Sequence, residues 1–121
     1  MERNLEKMTV VNDAASLEDK EGYAVDFNGE TVTSAGTGCF GIVTSGRPAG
    51  MASVVAYNGS LDAYVDGRSS NVGEIAVNDP LTAGGGAASG ELTKATVGTH
   101  PIRAYAMEAA TTQTKIKVFL V

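Results

Sequence analysis

With 121 residues, 15 glycines and 19% charged residues, the chain has material for one domain on a thin Ala/Val-rich core, and it holds no apolar run near the roughly 18 residues of a membrane helix. Its formal charge of -5 lies wholly in residues 1–30, while residues 31–121 are neutral; with no basic face, direct DNA or RNA binding is not expected. One cysteine (Cys39) and one histidine (His100) exclude an internal disulfide and a Cys/His zinc set, and the charged start of the chain lacks a signal-peptide apolar block.

Residues 1–22 combine high charge with scattered apolar residues (Leu5, Met8, Val10, Val11, Leu17). Such a segment builds little core of its own, so it reads as an arm that orders against a partner or as a frayed terminus. Within it, Lys7 to Val11 has strand character, and Ser16-Leu17-Glu18-Asp19 could cap a helical turn that nothing apolar continues. From residue 23 the apolar pattern has period two, which predicts strands. The first covers 23–27, followed by the turn pair Asn28-Gly29 and a short strand at 31–33; another covers 39–44. Residues 51–57, Asn58-Gly59 and 60–65 read as a hairpin, because Asn-Gly accepts the positive φ angles of a two-residue type I′ turn. Leu61, Ala63 and Val65 would then share one face, and Asp62, Tyr64 and Asp66 a solvated one.

Further strands are expected at 73–77, 91–97, 102–109 and 114–121, and a flexible glycine-rich loop at 83–90. The last strand places Ile116, Val118 and Leu120 on one face, and its end is expected to be built into a sheet. Eight or nine short strands with regular turn signals describe an all-β sandwich or small barrel.

The motifs that suggest chemistry do not assemble. Gly36-Thr37-Gly38-Cys39-Phe40-Gly41 spells G-x-G-x-x-G, but it runs into a strand and opens no helix for a pyrophosphate. Gly85 to Gly90 has P-loop glycine spacing, yet Glu91-Leu92 stand where a Lys and a Ser or Thr are needed. Asp62 and Asp66 would lie about 14 Å apart on one strand, too far for a retaining glycosidase pair. Asn58-Gly59-Ser60 is a glycosylation sequon whose simpler role is the turn, and Cys39 reads as a small buried strand residue, not a nucleophile served by His100. No enzyme, cofactor or metal site is expected.

Several blocks in the second half follow a familiar order: Gly41-Ile42-Val43, residues 49–55 and 59–67, Glu74-Ile75-Ala76-Val77-Asn78-Asp79-Pro80-Leu81-Thr82-Ala83-Gly84, and Ser89-Gly90-Glu91-Leu92-Thr93-Lys94-Ala95. Ile102-Arg103-Ala104-Tyr105-Ala106-Met107-Glu108-Ala109-Ala110 and Ile116-Lys117-Val118-Phe119-Leu120 complete it. Over residues 23–121 this resembles the capsid cement, or head decoration, proteins of tailed bacteriophages. Asn78 stands where that pattern has Gly, and Asn tolerates the same left-handed conformation.

The resemblance implies an all-β, single-domain β-barrel or β-tulip-like body (23–121) of short antiparallel strands with an extended N-terminal arm (1–22). It also implies a non-enzymatic protein, made in the host bacterial cytoplasm, that binds the outer surface of an assembled capsid. The expected partners are the major capsid protein and two further copies in a homotrimer at three-fold or quasi-three-fold positions, with no membrane. Arg3, Asn4, Leu5, Lys7, Met8, Thr9, Val10 and Val11 are the expected capsid-contact residues, ordering only on the capsid or a neighbouring subunit and adding a strand to a partner's sheet. The alternative is a virion adhesin that presents Tyr57, Tyr64 and Tyr105 to a host glycan or receptor.

Overall fold

A computed structural model describes residues 5–38 and 40–121, so Arg3, Asn4 and Cys39 lie outside the described residues. Eight strands follow in chain order: β1 (Glu6–Val11), β2 (Ala24–Val25), β3 (Gly41–Ser45), β4 (Ala52–Asp66), β5 (Pro80–Ala83), β6 (Leu92–Lys94), β7 (Ala104–Ala106) and β8 (Gln113–Leu120). One 3-10 turn, Gly86–Ala88, precedes β6.

The organising element is β4, and it overturns the expected hairpin. Residues 52–66 form one strand that runs straight through Asn58-Gly59. Among the described residues only Asp19 and Asn78 carry a positive φ without being glycine, so Asn58 lacks the conformation a type I′ turn demands. The physical reason lies in the pairing. A two-residue turn at 58–59 would set Val55 opposite Asp62; the open strand instead pairs Val55 with Val43 and Met8 and buries it completely. Gly59, at φ +105, supplies the irregularity at which the strand passes from one sheet into another.

The second half of β4 belongs to a closed five-strand barrel, ordered β4-β6-β5-β7-β8 and back to β4. Along β4 and β8 the register runs from Gly59 opposite Leu120 to Asp66 opposite Gln113. Leu61, Ala63, Val65, Ile116, Val118 and Leu120 point inward, as the period-two reading required, and Leu81, Leu92 and Ala104 join them in the core. The first half of β4 is flanked by β1 and β3, with β2 beyond β3. A satellite cluster of Val10, Leu17, Val25, Val43 and Val55 fills this outer sheet. The Tyr64 N–H donates to the Gly22 carbonyl on the side of β4 away from β8, which places β1 and β8 on the same side, end to end.

Four other expectations change. Residues 6–22 are not a separate arm: β1 finds its partner in its own chain, and Val10 and Leu17 are buried there. At 73–77 only an isolated bridge, Ile75 to Ala110, forms. The strand begins instead at Pro80, after a turn in which Asn78 takes φ +76 and the Asp79 carboxylate accepts the Ala76 N–H at 2.8 Å. The 83–90 stretch is packed against the body. The Ala83 carbonyl accepts the Gly36 N–H, the Gly90 carbonyl accepts the Ala24 N–H, and a Cβ on Gly85 would come within 2.7 Å of the Ala35 nitrogen. Its glycines serve close approach. Finally, Asp66 is not on a solvated face; its side chain is fully buried.

Candidate interaction surfaces

The expected contact residues divide on β1. Leu5 packs partly buried against the barrel core, and Val10 belongs to the satellite cluster. Lys7, Met8, Thr9 and Val11 are exposed and lie together on one strand. Beyond its ladder with β4, no backbone hydrogen bond from Glu6–Val11 to another described residue is present, so the far edge of β1 is open for six residues. It contains neither Pro nor Gly, and its only charges are Glu6 and Lys7. An open edge of this kind is a template for another strand.

A loop cluster at the end of β1 went unread in the sequence. The Asn12 side chain donates to the Gly29 carbonyl at 2.9 Å and accepts the Ala14 and Ala15 N–H groups at 2.8 and 2.9 Å, while its own carbonyl accepts the Gly50 N–H at 2.9 Å. One buried amide thus joins three loops, and Val11, Phe27 and Met51 stand exposed on them. On the outer barrel face, Tyr105 and Phe119 are cross-strand partners, both exposed, with Pro80 opposite Tyr105.

The polar groups with shifted titration hold the barrel seam. Asp66 accepts from Arg68 Nε (2.9 Å), Arg68 Nη2 (2.8 Å), the Arg68 N–H (3.0 Å) and Asn71 Nδ2 (2.8 Å). The Arg68 hydrogen bonds, opposed by burial, lower its carboxyl to about 2. Across the seam Glu91 accepts from Gln113 Nε2 at 2.8 Å, and burial raises its pKa. These bonds leave no carboxylate oxygen of Asp66 aimed at a substrate, and Asp62 pairs with Lys117 at 3.5 Å on the surface.

The tyrosines and His100 are engaged within the fold. Tyr64 stacks on Tyr23 with ring centroids 4.4 Å apart, Lys115 Nζ lies 4.9 Å from the Tyr64 ring and Lys20 Nζ 5.6 Å from that of Tyr23. Tyr57 is half-buried, which leaves Tyr105 as the exposed one of the three adhesin candidates. His100 Nδ1 accepts the Thr96 N–H at 3.1 Å and so closes a turn. A cleft of about 250 Å³ beside β1 is lined by Lys7, Glu21, Asp62 and Lys115 among others, its charges balanced. Among the described residues no three His, Cys, Asp or Glu side chains are grouped to hold a metal ion, and no helix is long and apolar enough to cross a membrane.

No protein-family model matches the chain, and no curated protein does. Among solved structures, the fold is similar to that of the N base of head fiber gp8.5 in bacteriophage phi29, with 14% identity and a TM-score of 0.52 over 97% of this chain and 94% of that one.

Proposed function

We propose that the protein is a non-enzymatic accessory of a phage head, a decoration protein that binds the outside of the assembled capsid through the major capsid protein and stabilises the shell by bridging its subunits. The observation that carries this reading is the likeness of nearly the whole chain to the base of a phage head fiber, a protein named for its place on the head. The motif order of residues 41–120, which resembles the cement proteins, points the same way and adds the expectation of a homotrimer at three-fold or quasi-three-fold positions. The open edge of β1 supplies a mode of attachment: Glu6–Val11 accepts or donates a strand to a capsid segment, with Met8 and Thr9 as exposed contact side chains. Any ligand that binds only the assembled state stabilises that state by mass action.

Titration onto expanded capsids and onto compact procapsids tests the reading. Decoration predicts saturation at a fixed copy number on expanded shells and greater resistance of those shells to heat. Met8→Asp with Thr9→Asp, which leaves Val10 in place, is expected to lower the occupancy at least tenfold. A wild-type chain that fails to saturate expanded capsids defeats the proposal, and unchanged occupancy of the double variant defeats the β1 mode.

A further inference from the structure

Two apolar patches of similar character lie on different parts of the surface. On the outer barrel face, Tyr105 and Phe119 sit side by side on β7 and β8, with Met107 and Val121 next along each strand. On the loops joined at Asn12 stand Val11, Phe27 and Met51. Each of these seven side chains is between 39% and 45% exposed. Exposed apolar surface grouped in this way marks contact with another macromolecule.

The rims of the two patches differ in sign. On the barrel face Arg103 precedes Tyr105 by two residues, on the same side of β7, and its Nε has no hydrogen-bond partner among the described residues. Lys115 and Lys117 precede Phe119 on the same side of β8; Lys117 is paired with Asp62, and Lys115 lies over Tyr64. Glu108 is turned to the Lys117 N–H. Around the loop cluster the charges are Asp13, Asp26, Glu30 and Arg47, and none of these makes an ion pair among the described residues. The Asp26 carboxylate is occupied by the N–H groups of Asn28 and Glu30.

We infer that the two patches are the two halves of one contact, in which the barrel face of one copy of the chain takes the Asn12 loop cluster of the next. Like patches cannot serve as well. Barrel face on barrel face would set Arg103 and Lys115 against their own copies, and cluster on cluster would do the same with Asp13 and Glu30; like charges brought together cost affinity. A contact between unlike patches is heterologous, so it repeats from copy to copy and closes into a ring when the rotation allows. The contact stands apart from the capsid reading, because both of its halves are on this chain.

The test uses two variants, each with one patch spoiled: Phe119→Asp on the barrel face and Phe27→Asp on the cluster, with Tyr105→Asp and Met51→Asp as second choices where either fails to fold. Sedimentation of the wild-type chain is expected to show association in about 50 mM salt and at least tenfold weaker association in about 500 mM, where the screening length falls to about 4 Å. Each variant alone is expected to be monomeric. An equimolar mixture is expected to form a two-chain species and nothing larger, since one intact barrel face meets one intact cluster and the chain of contacts ends. A monomeric wild-type chain overturns the inference, as does a monomeric mixture, or one variant that associates as the wild type does. Capsid titration is scored separately: a monomeric wild-type chain that saturates capsids sinks this contact and leaves the decoration reading standing, and association without capsid binding does the reverse.

Discussion

The barrel and the outer sheet share β4 but treat their edges differently. In the barrel each strand has a neighbour on both sides, and the ladder closes on itself, so every strand edge is used within the chain. The outer sheet stops at β1 on one side and at the two-residue β2 on the other. Its core is five residues, against eighteen in the main cluster, and the charge of -5 belongs to the segment that builds it. Closure concentrates stability in the barrel and leaves edge, charge and pinned loops to the sheet. This is the arrangement expected of a body that holds its shape while one flank meets a partner.

A core substitution in each region gives the largest effects and tests whether stability is divided this way. Leu92 is fully buried where β6 meets β4 and β5, so Leu92→Ala is expected to cost about 3–4 kcal/mol, seen as a large fall in the urea midpoint. Val10→Ala, in the satellite cluster on a strand otherwise exposed, is expected to cost about 1 kcal/mol and to raise hydrogen exchange along β1 without changing the barrel amides. Equal costs would mean that the two cores are one.

The seam beside Asp66 should make the barrel sensitive to acid. Its carboxyl titrates at about 2 in the fold, below its value in an unfolded chain, so the stabilisation is complete above about pH 4 and drains as the pH falls toward 2. Glu91 works the other way. Its raised pKa makes its contribution favourable in acid and lost as the pH rises through the folded value. Asp66→Asn is therefore expected to cost about 2 kcal/mol at pH 7, with Arg68 and Asn71 deprived of their acceptor, and nearly nothing at pH 2. Denaturation curves of both proteins at pH 7, 4 and 2.5 would reveal the convergence; a constant gap between them would show that the ionised carboxylate is not what holds the seam.

At the junction of the two regions, Gly59→Ala forces a Cβ into φ +105 and is expected to cost about 1–2 kcal/mol, whereas Asn58→Ala should cost less than about 0.5 kcal/mol. A type I′ turn would make Asn58 the sensitive residue of the two. Thermal melts of both variants decide between a through-strand and a turn.

That junction also marks where the sequence stopped being legible. The faces of β8 could be read because alternation is local and one side of the strand is buried, and the left-handed Asn78 could be read because its neighbours Asp79 and Pro80 announce a turn. Asn58-Gly59 sends the same local signal as a hairpin; what overrides it is the choice of partners, with β1 and β3 on one half of β4 and β8 on the other, and that choice depends on residues far along the chain. Asp66 looked solvated because alternation placed it beside Asp62, yet Arg68 folds back on it across Gly67. For the candidate surfaces, the strand at Lys7 to Val11 was visible. The loop cluster was not, since Asn12 ties together carbonyl and amide groups 17 and 38 residues away and no pattern within a window reports such a bond.

The stitch between outer segment and barrel gives the smallest and sharpest effect. Tyr23 precedes β2 on the outer side, Tyr64 lies in the barrel half of β4, and Lys115 of β8 covers Tyr64 while Lys20 covers Tyr23. Stacked aromatic pairs add about 0.5–1.5 kcal/mol beyond their burial, and an exposed cation over a ring adds about 0.5–1 kcal/mol. Tyr23→Leu keeps apolar bulk and removes the ring, so it is expected to cost about 1 kcal/mol; Lys115→Met keeps the side-chain stem and should cost about 0.5 kcal/mol. If the four side chains act as one stack, the double variant costs less than the two singles together, because removing one ring weakens the field that the cation meets at the other. Strict additivity in that cycle would make the two contacts independent, and the outer sheet would then be joined to the barrel by β4 and the backbone bond between Gly22 and Tyr64.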